Sequence, residues 1–138
     1  HVLQLPTPRL LPERRFAGQR FVRHVAASAR WDSWRLPGFE ARDTGIGAAT
    51  EGLAGARVVR PASAGAAAGA TKGHGGEFRM LFVLEGALGL RSQAFGDHRL
   101  EAGDACVLPS GTPYALSGEG GLEMLEVTLP AELPAAGP

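Results

Sequence analysis

The segment 71–86 (TKGHGGEFRMLFVLEG) brings together three side chains that can do chemistry. Lys72 is the only lysine of the chain, His74 follows two residues later, and Arg79 lies five residues beyond His74. A lysine desolvated beside another cation has a lowered pKa and can act as a base or an amine nucleophile. Histidine transfers protons near neutral pH, and a guanidinium group binds a carboxylate through two parallel hydrogen bonds. These residue types are typical of a proton-transfer or anion-binding site.

The elements that must position these groups are short strands. Apolar runs with β-branched residues alternate with Gly- and Pro-containing turns about every 8–12 residues, which predicts an all-β sandwich or barrel. The runs include ARVVRPA, EFRMLFVLEG, ALGLRSQAF, ACVLPSG and LEMLEVTLP. Side chains alternate along a strand, so RMLFV places Arg79, Leu81 and Val83 on one face.

Three segments are predicted along the chain. Residues 1–36 form an irregular or partly helical N-terminal arm, residues 37–130 form the barrel, and residues 131–138 form a flexible tail. The 138 residues fit one domain with a core of its own.

Composition narrows the classes of partner. The formal net charge is zero, so the basic surface of a nucleic-acid-binding protein is not expected. No segment approaches the roughly 20 apolar residues that span a bilayer, so no membrane partner is expected. Cys106 is the only cysteine, which excludes an internal disulfide framework and favours a reducing, cytoplasmic location.

The order VLEG, LEAGD and VLPSGTPY resembles the cupin superfamily, in particular small single-domain proteins of the conserved-barrel type. Gly103, Pro109 and Gly111 match the spacing of the second cupin motif, and Gly86 closes the first. The resemblance implies a cupin jelly-roll β-barrel. Gly86 and Gly103 are expected at tight turns that require a positive φ or the absence of Cβ.

The same resemblance implies a degenerate metal site. Metal-binding cupins present three histidines and a glutamate, and the matching positions here hold Lys72, His74, Arg79 and Tyr114. Arginine stays protonated and cannot ligate, lysine must first lose a proton, and Arg79 would repel a cation. No metal cofactor is therefore expected.

The resemblance implies a barrel pocket that works without a metal. We predict a protein that binds a small anionic or carbonyl-bearing molecule and that could catalyse proton transfer, as in isomerisation, cyclisation or dehydration. Tyr114 would donate a hydrogen bond to a developing oxyanion. The predicted catalytic residues are His74, Lys72 and Tyr114, and the predicted ligand-binding residues are Arg79, Lys72, Glu77, Leu81, Val83 and Leu108.

Other interpretations stay open. The protein could be a non-catalytic binding or sensing module. It could also be a metal-dependent oxygenase or isomerase that holds a divalent transition metal at His74, with Glu77 as the carboxylate and Tyr114 as a further ligand. Equally, His74 could be a core histidine with satisfied hydrogen bonds. Arg79 could pair with an acidic neighbour, with Glu77, Glu85 and Glu126 as the candidates, and Tyr114 could simply fill volume.

The predicted strand EFRMLFVLEG has a second face, opposite Arg79, Leu81 and Val83, and this face predicts an assembly. Phe78, Phe82 and Leu84 alternate with the inward-facing residues and would face away from the pocket. An apolar outer face on a small barrel often meets a second subunit, so a homodimer is predicted.

Overall fold

The computed structural model describes residues 15–63, 67–71 and 73–134. Lys72, most of the first half of the predicted arm and the end of the predicted tail lie outside these residues. The described part is mostly β-structure, with a 3₁₀ turn at Ala26–Ser28 and one short helix, α1, at Ile46–Ala49. The strands are β1 Arg15–Phe16, β2 Gln19–Arg20, β3 Asp32–Ser33, β4 Phe39–Asp43, β5 Gly55–Pro61, β6 Ala67–Thr71, β7 Phe78–Ser92, β8 Gly96–Glu101, β9 Ala105–Val107 and β10 Tyr114–Leu129.

Two long strands, β7 and β10, organise the barrel. All strand pairs are antiparallel, and the main sheet runs in the order β3-β4-β5-β10-β7-β8. The first half of β10 pairs with β6 and the second half with β5, while β7 pairs with β9 near its start and with β8 near its end. Each long strand thus contributes to two layers of a jelly-roll arrangement. The all-β prediction is confirmed.

Both long strands bend where glycine permits it. The pairing of β7 with β10 shifts register between Glu119 and Glu123, opposite Gly86. Gly86 has a φ of +70°, and a Cβ there would lie 2.6 Å from the backbone nitrogen of Leu122 and 2.7 Å from the oxygen of Gly120. Gly86 therefore has both features expected from the sequence, a positive φ and no room for a side chain.

The core lies between the two layers. Its members come from β4, β5, β7, β8 and β10 and from the segments beside them: Trp34, Leu36, Phe39, Ala41, Val59, Leu81, Val83, Leu88, Leu90, Leu100, Leu108, Tyr114, Leu116, Leu122 and Met124. Trp34 and Leu36 belong to the predicted arm, so the core includes residues upstream of the predicted boundary at residue 37.

The outer face of β7 is apolar, as the alternation predicts. Phe78 and Phe82 are half-buried, and Leu84 is 39% exposed. Phe82 lies opposite Leu125 of β10 on this face. Among the described residues, no helix is both long enough and apolar enough to cross a membrane.

Candidate functional site

Arg79 is a charged residue inside the barrel. It faces inward from β7, in the same row as Leu81 and Val83, and its side chain has no exposed surface. Its Nε donates a hydrogen bond to Oε2 of Glu126 at 2.8 Å. Glu126 lies on the adjacent strand β10, opposite Leu81, and is equally buried. Arg79 therefore pairs with an acidic residue on a neighbouring strand, which was the structural alternative to a purely ligand-binding role.

Glu126 is saturated with donors. It accepts four hydrogen bonds, one of them from Arg79 and one from Nε1 of Trp34 at 3.2 Å. Arg35 supplies the other two, from Nε to Oε2 at 3.1 Å and from Nη2 to Oε1 at 3.0 Å. A carboxylate has about four acceptor positions, so Glu126 has no remaining capacity for further donors from Arg79.

The terminal nitrogens of Arg79 have no such partner. Nη1 and Nη2 are both buried, and neither forms a hydrogen bond within the described part of the chain. Buried polar groups are nearly always hydrogen-bonded, because an unmade bond costs the full desolvation penalty. Two adjacent orphan donors on one charged group are thus an exception that needs a cause.

Two aromatic rings flank this guanidinium group. Its Cζ lies 5.4 Å from the centre of the Trp34 ring and 5.2 Å from that of Tyr114. Cation–π attraction at these distances partly offsets the cost of burying the charge. Tyr114 is 4% exposed and belongs to the core. The structure therefore brings together Arg79 and Tyr114, two of the predicted site residues.

The buried pair remains charged. Burial would raise the pKa of Glu126, but attraction to Arg79 and Arg35 and hydrogen bonds from Arg35 and Trp34 hold the pKa below its ordinary value. Burial lowers the pKa of Arg79, and attraction to Glu126 opposes that shift. The guanidinium nevertheless keeps its proton, because its ordinary pKa is so far above neutral pH.

His74 is buried too, but its hydrogen bonds are complete. The backbone N–H of Gly76 donates to Nδ1 at 3.1 Å, so Nδ1 carries no proton. Nε2 lies 2.7 Å from the carbonyl oxygen of Leu108 and must be the donor in that bond. No ring nitrogen is left for a proton relay or for a metal. This geometry matches the structural interpretation of His74 and gives its predicted catalytic role no support.

The remaining predicted residues lie apart from Arg79 or form its packing. Glu77 is exposed and lines a surface depression with Leu53 and Pro130, away from the barrel interior. Leu81, Val83 and Leu108 are fully buried in the core around the inward face of β7. Lys72 lies outside the described residues.

The metal positions of the cupin motifs do not supply a fitting donor set. His74 has no free lone pair, and Arg79 brings a positive charge. Within residues 15–63, 67–71 and 73–134, no three His, Cys, Asp or Glu side chains come close enough to hold a metal ion. The metal-dependent alternative at His74 thus finds no ligand set in the described part of the chain.

Sequence reasoning missed Trp34 and Arg35. Both contact Glu126, which follows Arg35 by 91 positions along the chain. Two hydrogen-bonding side chains next to each other in the predicted arm were the only local signal. No spacing rule connects them to a carboxylate on the last strand.

The chain is similar to several solved structures across most of its length, and one of them is an RmlC-like cupin. KdgF from Halomonas sp. superposes with a TM-score of 0.60 at 18% identity, over 80% of this chain and 95% of that one. The polyketide cyclase RemF from Streptomyces resistomycificus gives 0.64 at 22% identity, over 83% and 82%. An RmlC-like cupin from Shewanella frigidimarina gives 0.61 at 14% identity, over 83% and 96%.

These likenesses establish the architecture of the chain. Identities this low show the fold and leave chemistry to the site itself. No family model and no curated protein matches the sequence. The protein has the cupin fold, as its glycine and proline motifs predict.

Proposed function

We propose that this protein is a metal-independent cupin-fold protein that binds a small anionic molecule inside its barrel. Nη1 and Nη2 of Arg79 are the binding groups. The observation that carries the proposal is that both nitrogens are buried and have no partner among the described residues. An anion would supply the missing acceptors.

A carboxylate is the anion that suits these donors best. Nη1 and Nη2 lie in one plane and point in nearly the same direction, so they match the two oxygens of a carboxylate. Glu126 holds the Nε edge of the same group and fixes its orientation. Arg79 is thereby pre-organised, and little side-chain entropy remains to be lost on binding.

Charge balance supports the same conclusion. Arg79 and Arg35 both pair with the single carboxylate of Glu126. Arg57, 3.9 Å from Glu126, has a closer partner in Glu132 at 2.7 Å. Arg79, Arg35 and Glu126 together therefore carry one excess positive charge. Arg35 is partly exposed to solvent, whereas Arg79 is buried, so an anionic ligand at Arg79 would place a neutralising charge beside the guanidinium group that water does not reach.

Binding is better supported than catalysis. Proton transfer needs a group with a free acidic or basic atom at the ligand, and both nitrogens of His74 are occupied by backbone groups. A role for Tyr114 as a donor rests on its ring lying beside Arg79. The binding or sensing function is therefore the one that we put first.

The test is a titration that separates charge from shape. Hexanoate and its neutral isostere hexanamide are titrated by calorimetry at constant ionic strength into the wild type, Arg79→Met and Arg91→Met. Arg91 is a matched control, because the substitution is identical and its side chain is 77% exposed. We expect hexanoate to bind the wild type and Arg91→Met, with at least a tenfold loss for Arg79→Met, which is about 1.4 kcal/mol.

Arg79→Lys and the double variant Arg79→Met/Glu126→Gln separate binding from folding. Lysine keeps the charge but loses the two parallel donors, so hexanoate affinity should fall between those of the wild type and Arg79→Met. The double variant removes the buried charges together and is expected to stay folded. Equal hexanoate affinity in the wild type and in folded Arg79→Met would contradict the proposed function.

We also propose a homodimer formed through the outer face of β7. Phe78 and Phe82 are half-buried and Leu84 is exposed on this face of the single chain, which suits an apolar interface. Sedimentation equilibrium should give twice the mass of the chain, with a weaker association for Leu84→Arg. A mass of one chain at all concentrations would contradict the dimer. The cytoplasmic location stays a prediction.

A further inference from the structure

A cavity with mainly apolar walls lies beside β8, β9 and the turn between them. β8 pairs with residues 87–92 of β7 and β9 with residues 80–82, and the turn between the two short strands bonds to Val83 of β7 through the backbones of Gly103 and Asp104. This cavity has a volume of about 620 Å³, within the usual size range of small-molecule sites. Its lining includes the apolar side chains of Leu90, Phe95, Leu100 and Cys106.

The polar groups of this cavity already have partners. Arg99 pairs with Glu119 and Glu101, the backbone N–H of Glu101 donates to Asp104, and Nε2 of His98 bonds the carbonyl oxygen of Phe95. The cavity therefore offers apolar contact area, and its one lining arginine, Arg99, is more than half exposed and already paired with two surface carboxylates.

Arg79 lies next to this cavity on the inner face of the barrel, although it does not line the cavity itself. Cys106 of β9 is opposite Leu81 of β7, and Arg79 is the next inward-facing residue along β7. The backbone also connects Arg79 to the segment that lines the cavity. The N–H of Leu108, which lies between the lining residues Val107 and Pro109, donates to the carbonyl oxygen of Arg79 at 2.9 Å. Cys106 thus lines the cavity and also lies within the electrostatic reach of the guanidinium group.

We infer that the ligand is a monocarboxylate with an apolar body, with its carboxylate on Nη1 and Nη2 of Arg79 and its body in the β8–β9 cavity. This inference rests on the proposed function and adds the chemical class of the ligand and the side of the barrel that receives it. A small inorganic anion would leave the apolar walls unused, and a neutral apolar molecule would leave the two donors unpaired. Only a molecule with both parts satisfies both features.

Cys106 provides the reporter for the test, since it is the only thiol in the chain and is half-buried in the cavity wall. Its alkylation by N-ethylmaleimide is followed by intact-protein mass spectrometry with acetate, hexanoate, hexanamide or no addition. Saturating hexanoate is expected to slow the alkylation at least fivefold. Acetate, which has no body to fill the cavity, and hexanamide, which has no charge, should leave the rate unchanged. In Arg79→Met the protection by hexanoate should disappear, and in Arg91→Met it should persist.

A second variant keeps the test independent of thiol reactivity. Phe95 is half-buried in the cavity wall, so Phe95→Ala should lower hexanoate affinity severalfold and leave acetate affinity unchanged, because only the apolar contact is lost. The two affinities are measured by chemical-shift titration on the same sample.

The outcomes separate this inference from the proposed function. Arg79-dependent hexanoate binding without protection of Cys106, and with no effect of Phe95→Ala, would overturn the cavity inference and leave the anion site standing. Equal protection by hexanamide, or protection that persists in Arg79→Met, would show that the cavity binds the apolar part of the ligand without Arg79. Either result would overturn the inference as well. The absence of any Arg79-dependent carboxylate binding would overturn both.

Discussion

His74 and Arg79 are both buried polar side chains at the start of the same motif, and they use their hydrogen-bonding capacity in opposite ways. Both ring nitrogens of His74 are bonded to backbone groups of Gly76 and Leu108. Arg79 has one nitrogen on Glu126 and two buried nitrogens without a partner among the described residues. A buried group whose hydrogen bonds are complete stabilises the fold. A buried group with unpaired donors lowers stability, but those donors can bind a ligand.

The contrast reverses what residue type alone suggests. Histidine is the usual choice for proton transfer, and arginine is the residue that disqualifies a metal site. Once hydrogen-bond partners are considered, His74 connects two loops through bonds to their backbones. Arg79 is the residue that still has unpaired hydrogen-bond donors.

Among the substitutions that test this contrast, Glu126→Ala is expected to have the largest effect on the free energy of unfolding. This change leaves Arg79 buried with no carboxylate, and breaking a buried pair in this way costs about 3–5 kcal/mol of unfolding free energy. Urea unfolding measures the loss. Arg79→Met/Glu126→Gln should lose much less, because no charge stays unpaired. Equal losses for the two variants would mean that the unpaired charge is not the cause.

His74→Ala tests the other half of the contrast. It leaves the N–H of Gly76 and the carbonyl of Leu108 without their partners, which should cost about 1–3 kcal/mol in urea unfolding. Hexanoate affinity should not change, because His74 has no free atom to offer. A folded His74→Ala protein that has lost hexanoate binding would contradict the structural role and return His74 to the site.

Acid should weaken the Arg79 region through Glu126. The pKa of Glu126 is held below its ordinary value of about 4.3 by its arginine partners. Its ionisation therefore contributes stability that is present above that ordinary pKa and is lost as pH falls through the lowered, folded-state pKa. Urea midpoints measured from pH 6 downward should fall less steeply for Glu126→Gln than for the wild type. Parallel curves for the two proteins would contradict a lowered pKa.

The smallest effect is expected where an ion pair is exposed. Arg91 and Asp97 approach to 3.7 Å, with side chains 77% and 71% exposed. Arg91→Gln should change the unfolding free energy by less than about 1 kcal/mol, since water and salt screen such pairs. A loss as large as that of Glu126→Ala would mean that burial does not explain the difference between the two pairs.

The fold was predictable because its signals are local. Turn glycines such as Gly86 and the alternation along β7 depend on neighbouring residues only, and they correctly give an all-β barrel with Arg79 facing inward. The partner of Arg79 was less certain, because an inward direction does not choose among several glutamates. The register that selects Glu126 comes from the pairing of β7 with β10 over long sequence separation.

The site was predictable only in part. Arg79 and Tyr114 lie together as expected, but Trp34 and Arg35 reach the site from a segment with no strand pattern. The hydrogen bonds of His74 depend on loop backbone that no residue spacing describes. The β8–β9 cavity is lined by residues of three strands and the turns between them, which only the assembled sheet brings together.

The most direct test of the anion site observes the guanidinium nitrogens of Arg79. In protein labelled with ¹⁵N at arginine, the Nη signals of Arg79 are assigned as those absent from Arg79→Met and are followed as hexanoate is added. The Nη signals should shift strongly and saturably, while the Nε signal, held by Glu126, moves little. Nη signals that stay unchanged at hexanoate concentrations that saturate the protein would contradict the central claim that these two nitrogens bind the ligand.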